Sequence, residues 1–152
     1  MLRFLILFVL SSISLVVHAD APEGYPFISF DKAMKQAATE VKPIFVYFGR
    51  YGCGYCEKTN KEAFSDPLVR ERYTENYILA YVDAESGKRL RLPSGERITE
   101  RELGTRYNAF VTPVFSFLNP VGELQLRLIG VQSKTDLLKA DEDMQQKLGR
   151  DK

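Results

Sequence analysis

The sequence predicts one α/β domain on a central mixed sheet flanked by helices, a parallel βαβ half followed by an antiparallel ββα half. Three observations lead there. An apolar run, Ile44 to Phe48, is rich in β-branched and aromatic residues and is followed by a glycine-broken turn and a polar helical stretch. Helical patterns then separate it from a second apolar run, Tyr77 to Val82, by enough chain for a crossover between parallel strands. Further on, Val114 to Leu118 and Glu123 to Ile129 are joined only by Asn119-Pro120-Val121-Gly122, which suits an antiparallel hairpin, and a capped helix closes the chain.

Taken in order, Arg3 and the apolar run Phe4 to Val17 precede Val17-His18-Ala19, with small residues at −3 and −1. Residues 1–19 therefore read as a secretory signal peptide cut after Ala19, with an uncleaved anchor as the alternative. Residues 20–28, holding Pro22, Gly24 and Pro26, read as an irregular lead-in, and one domain is expected over 29–152. Ser29 is placed to cap a helix whose Phe30, Ala33, Met34 and Ala37 recur at core spacing. After the first strand, Glu57 to Ala63 reads as a helix, and Asp66-Pro67 starts another running to about Asn76. Glu85 to Arg97 is the least regular stretch, a solvated hairpin or loop turning at Pro93-Ser94-Gly95. Its Lys88, Arg89, Arg91 and Arg97 also allow a docking surface. Thr99 with Glu102 matches a capping box for a helix reaching Tyr107, and Ser133 with Asp136 caps the last helix, with Leu137, Leu138, Met144 and Leu148 facing inward.

Both cysteines of the chain, Cys53 and Cys56, lie in the turn after the first strand, among Gly49, Gly52 and Gly54. A cysteine at the first turn of a helix meets unsatisfied backbone N–H groups and the positive end of the helix dipole. Both favour the thiolate, so Cys53 is expected to ionise below the free value of about 8.5. Cys56, one turn later, is placed to resolve a mixed disulfide formed on Cys53. A zinc site needs about four ligands, which two cysteines and one histidine do not supply, so no metal is expected. A purely structural disulfide is the other alternative, though closing so short a loop removes little chain entropy.

Composition agrees with an ordinary globular domain, 45% hydrophobic and 27% charged, with formal net charge +1. Cleavage after Ala19 would remove His18, the only histidine, and Arg3, leaving 20 basic against 20 acidic residues. No basic excess argues for nucleic acid or an anionic membrane as a partner. Export would place the domain in an oxidising or disulfide-handling compartment.

Three features, Cys53-Gly54-Tyr55-Cys56 after the first central strand, Thr112-Pro113 before the hairpin and the closing helix, resemble the thioredoxin-fold family over about Ser29 to Leu148. The resemblance implies a cis Pro113 beside the nucleophilic Cys53, and a Thr112 that offers its main chain to an extended substrate peptide. Gly52-Cys53-Gly54-Tyr55-Cys56-Glu57-Lys58 and the insert before Thr99 are similar to periplasmic thioredoxins of the SoxW-like type. The strongly oxidising periplasmic enzyme carries an inserted helical domain and a histidine between its cysteines, and the disulfide isomerase an N-terminal dimerisation domain; this sequence matches neither. Two positions depart from cytosolic thioredoxin: Gly52 stands where that protein has Trp, and Tyr47 where it has a buried acid. Tyr47, with a side-chain pKa near 10, is a poor base at neutral pH, which leaves Glu57 as the nearest acid for a proton relay. Its plainer description is a solvent-facing first-turn glutamate. Tyr55 either covers the disulfide and contacts substrate or is simply an exposed turn aromatic. The resemblance thus implies an exported, periplasmic thiol–disulfide oxidoreductase, a monomer without organic cofactor, reducing disulfide-containing exported proteins and recharged by a membrane-bound electron donor. The rival readings are a non-catalytic binding or chaperone module of the same fold, and an isomerase or oxidase.

Overall fold

The computed structural model describes residues 21–149, so the signal-peptide reading of residues 1–19 lies outside the described residues. Twelve segments follow one another: helix α1 (Phe30–Glu40), β1 (Ile44–Gly49), α2 (Gly54–Thr59) continuing into a π-helical turn (Asn60–Phe64), α3 (Pro67–Asn76), β2 (Ile78–Asp83), β3 (Arg89–Arg91), β4 (Arg97–Thr99), α4 (Glu100–Arg106), β5 (Val114–Leu118), β6 (Leu124–Ile129) and α5 (Lys134–Lys147). The main sheet has the order β2-β1-β5-β6, and β3 pairs with β4 in a separate hairpin. β1 runs parallel to β2 and antiparallel to β5, which in turn is antiparallel to β6. The expected mixed sheet is present in that order.

β1 is wholly buried, which explains why its sequence is apolar without alternation. Its side chains still divide by the pleat. Ile44, Val46 and Phe48 join Phe30, Ala33, Leu103 and Val114 in one core; Phe45 and Tyr47 join Phe64, Tyr73, Phe115, Leu137 and both cysteines in the other. The second core is largely aromatic: the Phe45 ring stacks on Phe115 at 5.9 Å and meets Tyr73 edge-on at 4.8 Å. Burying two faces of one central strand fixes where that strand ends, and therefore where the cysteine turn emerges.

The capping expectations divide. Asp66 accepts from the N–H groups of Leu68 and Val69, and the reciprocal boxes at Thr99–Glu102 and Ser133–Asp136 both form. Ser29 occupies the N-cap of α1 but its side chain makes no capping bond; only its carbonyl, accepting from Ala33, serves the helix. The basic stretch before Thr99 is a hairpin, as expected, but not a merely solvated one. Leu90 and Ile98, opposite each other across β3 and β4, are buried against the α1 side of the sheet. Arg89, Arg91 and Arg97 point outward, while Lys88 lies 3.7 Å from the buried Glu100. No helix of the described residues is long and apolar enough to cross a membrane.

Candidate active site

The site begins where β1 stops. Gly49 has no room for a side chain, because a Cβ there would stand 2.5 Å from the Tyr81 hydroxyl oxygen. Gly52, at φ +66°, takes the left-handed conformation that ends the turn, with open space around it. Cys53 follows in extended conformation and acts as the N-cap of α2, its Sγ accepting from the Cys56 N–H at 3.1 Å. Its carbonyl accepts from the Glu57 N–H at 3.0 Å, closing the first helical turn. Because α2 runs on into the π-helical turn, the helical run behind Cys53 extends to Phe64.

Cys53 and Cys56 are joined in a disulfide, with Cα atoms 5.2 Å apart. The Thr112 Oγ1 lies 3.2 Å from the Cys53 Sγ. A disulfide sulfur carries no hydrogen, so here the hydroxyl donates. The Thr112–Pro113 bond is cis, and among the described residues the main-chain N–H and C=O of Thr112 have no partner. The chain thus brings Cys53, Cys56, Thr112 and Pro113 together, from loops 59 residues apart in sequence at the Cys53–Thr112 contact.

Cys53 is 3% exposed and Cys56 fully buried. The glycine turn exposes backbone, but the sulfur is turned inward against Thr112, so only an edge of Cys53 faces solvent. Around that edge stand apolar side chains that solvent reaches freely: Tyr51, Tyr55, Phe110 and Val111. Tyr55, at 69% exposed, does not lie over the disulfide as a cover.

Glu57 is not brought to the sulfurs. It pairs with Lys61 at 2.7 Å on the solvent face of the helix, and that lysine holds its carboxyl below the usual range. Both facts make it a poor proton acceptor for a buried thiol. Beneath Cys56 stands Tyr47 instead, fully buried, its hydroxyl donating to the Asn60 Oδ1 at 3.0 Å and lying 3.3 Å from the Cys56 carbonyl. Asn60 was not singled out from the sequence, although its position one helical turn past Cys56 places it on the same face. Among the described residues no three of His, Cys, Asp and Glu gather as a metal site.

A family model described as a thioredoxin-like domain matches residues 30–145. A thioredoxin from Thermus thermophilus is 26% identical, with a TM-score of 0.64 over 79% of this chain and 86% of that one. A candidate disulphide-isomerase from Bacteroides thetaiotaomicron is 30% identical, with a TM-score of 0.61 over 87% of this chain and 95% of that one. An uncharacterised curated protein from Archaeoglobus fulgidus is 32% identical over 75 residues, 49% of this chain and 58% of that protein, so the match spans less than two thirds of that relative. The sheet order, the disulfide at the start of α2 and the match over most of the chain place this protein in the thioredoxin-like domain family, with the thioredoxin fold.

Proposed function

We propose that the protein is an exported thiol–disulfide oxidoreductase that reduces disulfides in partner proteins through a Cys53/Cys56 dithiol. The observation that carries this reading is the place of Cys53: N-cap of α2, with the Cys56 N–H and the Thr112 hydroxyl both directed at its sulfur. Donors that reach a disulfide sulfur serve a thiolate better, since hydrogen bonds to a charged acceptor are shorter and roughly twice as strong.

The exchange runs in two steps. In the reduced protein the Cys53 thiolate attacks one sulfur of a partner disulfide, held in extended form along the open main chain of Thr112. The Cys53–partner S–S bond forms, the partner S–S bond breaks, and the departing partner sulfur takes a proton from solvent. Cys56 then loses its proton and attacks the Cys53 Sγ, re-forming the intramolecular disulfide and releasing the second partner thiol. Two electrons and two protons pass to the partner. A dithiol donor, which we place in the membrane, returns the protein to its reduced form; neither metal nor organic cofactor enters. The periplasm is the compartment in which the leader and this chemistry agree.

Replacing Cys56 by Ser tests the reading. An enzyme accumulates mixed disulfides through Cys53 with exported proteins, and reducing agent removes them. A non-catalytic binding module of the same fold keeps its partner without a covalent link. The direction of electron flow follows from the reduction potential of the pair: a value near −270 mV agrees with a reductase and one near −120 mV with an oxidant.

A further inference from the structure

A cavity of about 230 Å³ opens beside Thr112, on the far side of that residue from the turn of Gly52. Its walls include Arg50, Glu85, Arg101, Phe110, Val111 and Thr112. Thr112 therefore belongs both to this cavity and to the contact with the Cys53 sulfur. We infer that the cavity is a specificity subsite for an acidic side chain of the substrate polypeptide, close in sequence to the cysteine under attack. This rests on the oxidoreductase reading and names its substrate class.

Charge decides the class of side chain. Arg101 donates through Nε and an Nη to the Glu85 main-chain carbonyl, at 3.2 and 2.7 Å. That carbonyl is neutral, so it fixes the guanidinium without cancelling its charge, and among the described residues no carboxylate lies within ion-pair distance of Arg101. A guanidinium has five N–H donors in a planar fork, and the carbonyl occupies two. Arg50, from the turn ahead of the cysteines, has only the side chain of Glu85 near it, at 3.7 Å and 70% exposed. Two cations face one loosely held carboxylate. The chain as a whole is close to neutral, so this excess is local to the mouth of the site.

Geometry decides which substrate residue reaches it. A peptide extended along Thr112 advances about 3.3 Å per residue. A side chain one or two positions from the reacting cysteine therefore falls at the cavity. Phe110 and Val111, 72% and 59% exposed, supply an apolar wall for the stem of such a side chain. Glutamate, with the longer stem, fits both demands better than aspartate.

The test uses the reduced full chain and a set of synthetic disulfide peptides identical except at the two positions flanking one cysteine, carrying Glu, Gln or Lys. The expected result is a kcat/KM for the Glu peptide about tenfold above that for the Lys peptide, the sum of two exposed charge contacts, shrinking as salt is added. Arg50→Gln/Arg101→Gln abolishes the ranking, while its rate on hydroxyethyl disulfide, too small to reach the cavity, stays at the wild-type value. Equal rates on all three peptides with the wild-type protein, or a faster Lys peptide, overturn the subsite and leave the oxidoreductase reading standing. Failure to reduce any peptide or hydroxyethyl disulfide overturns the oxidoreductase reading and the subsite with it. The wild-type ranking needs no variant, so a poorly folding double substitution does not blunt the test.

Discussion

Gly49 is the residue on which the approach to the site turns, and Gly49→Ala is the sharpest perturbation of it. The added methyl would meet the Tyr81 hydroxyl oxygen at 2.5 Å and two ring carbons of Tyr81 at 3.1 Å. Tyr81 does not swing aside freely, since its ring is packed edge-on against Tyr47 at 5.4 Å and Phe27 at 6.5 Å. Overpacking of this kind costs about 1–3 kcal/mol. For a domain of this size that is a fall in melting temperature of roughly 4–12 °C. Thermal unfolding followed by circular dichroism measures it. Tyr81→Phe removes the closest clashing atom but not the ring, so the Gly49→Ala/Tyr81→Phe double variant regains part of the loss. Its stability exceeds the sum of the two single effects, the coupling that neighbouring residues show. A Gly49→Ala protein within about 0.5 kcal/mol of wild type, the range of an inert surface change, refutes the reasoning. Strict additivity in the double variant refutes it too.

Two further outcomes follow. Thr112→Val keeps the shape of the side chain and deletes the hydroxyl that lies 3.2 Å from the Cys53 sulfur. Cys53 then ionises about one unit higher, as expected when a charged acceptor loses one donor, read from the pH dependence of alkylation in a Cys56→Ser background; an unchanged midpoint contradicts this. Glu100 gives a pH signature. Burial holds its carboxyl above the usual carboxylate range, with Lys88 opposing. For an acid whose folded pKa is raised, the folded state is favoured below the unfolded value near 4.5 and loses that advantage as pH rises through the folded pKa. Glu100→Gln does not titrate, so its melting temperature gains on wild type between pH 4 and pH 7, and a difference that stays flat or moves the other way contradicts the assignment.

The features readable from sequence are those fixed by local chemistry. A fully buried strand needs an unbroken apolar run, and Ile44 to Phe48 has one; capping boxes need Ser or Thr three residues before an acid, and both formed. The sulfur's surroundings depend on contacts remote in sequence and were read less well. Nothing between Gly52 and Gly54 says that Cys53 turns inward against Thr112, so a glycine-rich turn suggested more exposure than the 3% observed. Glu57 follows Cys56 directly, yet on a helix neighbours in sequence face apart, and Lys61 four residues on is its natural partner. The same rule explains why Asn60 and Tyr47 meet beneath Cys56. Arg101 is one of many exposed arginines until the fold sets it beside Arg50 and Thr112. Ser29 shows the converse, since a suitable residue at an N-cap does not oblige its side chain to bond.

The account stands on the acidity of one sulfur. Titration of the reduced protein, by thiolate absorbance or by alkylation rate against pH with Cys53 identified by mass, measures it directly. The account predicts a midpoint for Cys53 clearly below the free-cysteine value of about 8.5. A midpoint above about 9 would mean that the start of α2 and the Thr112 hydroxyl do not favour the anion, and would contradict it.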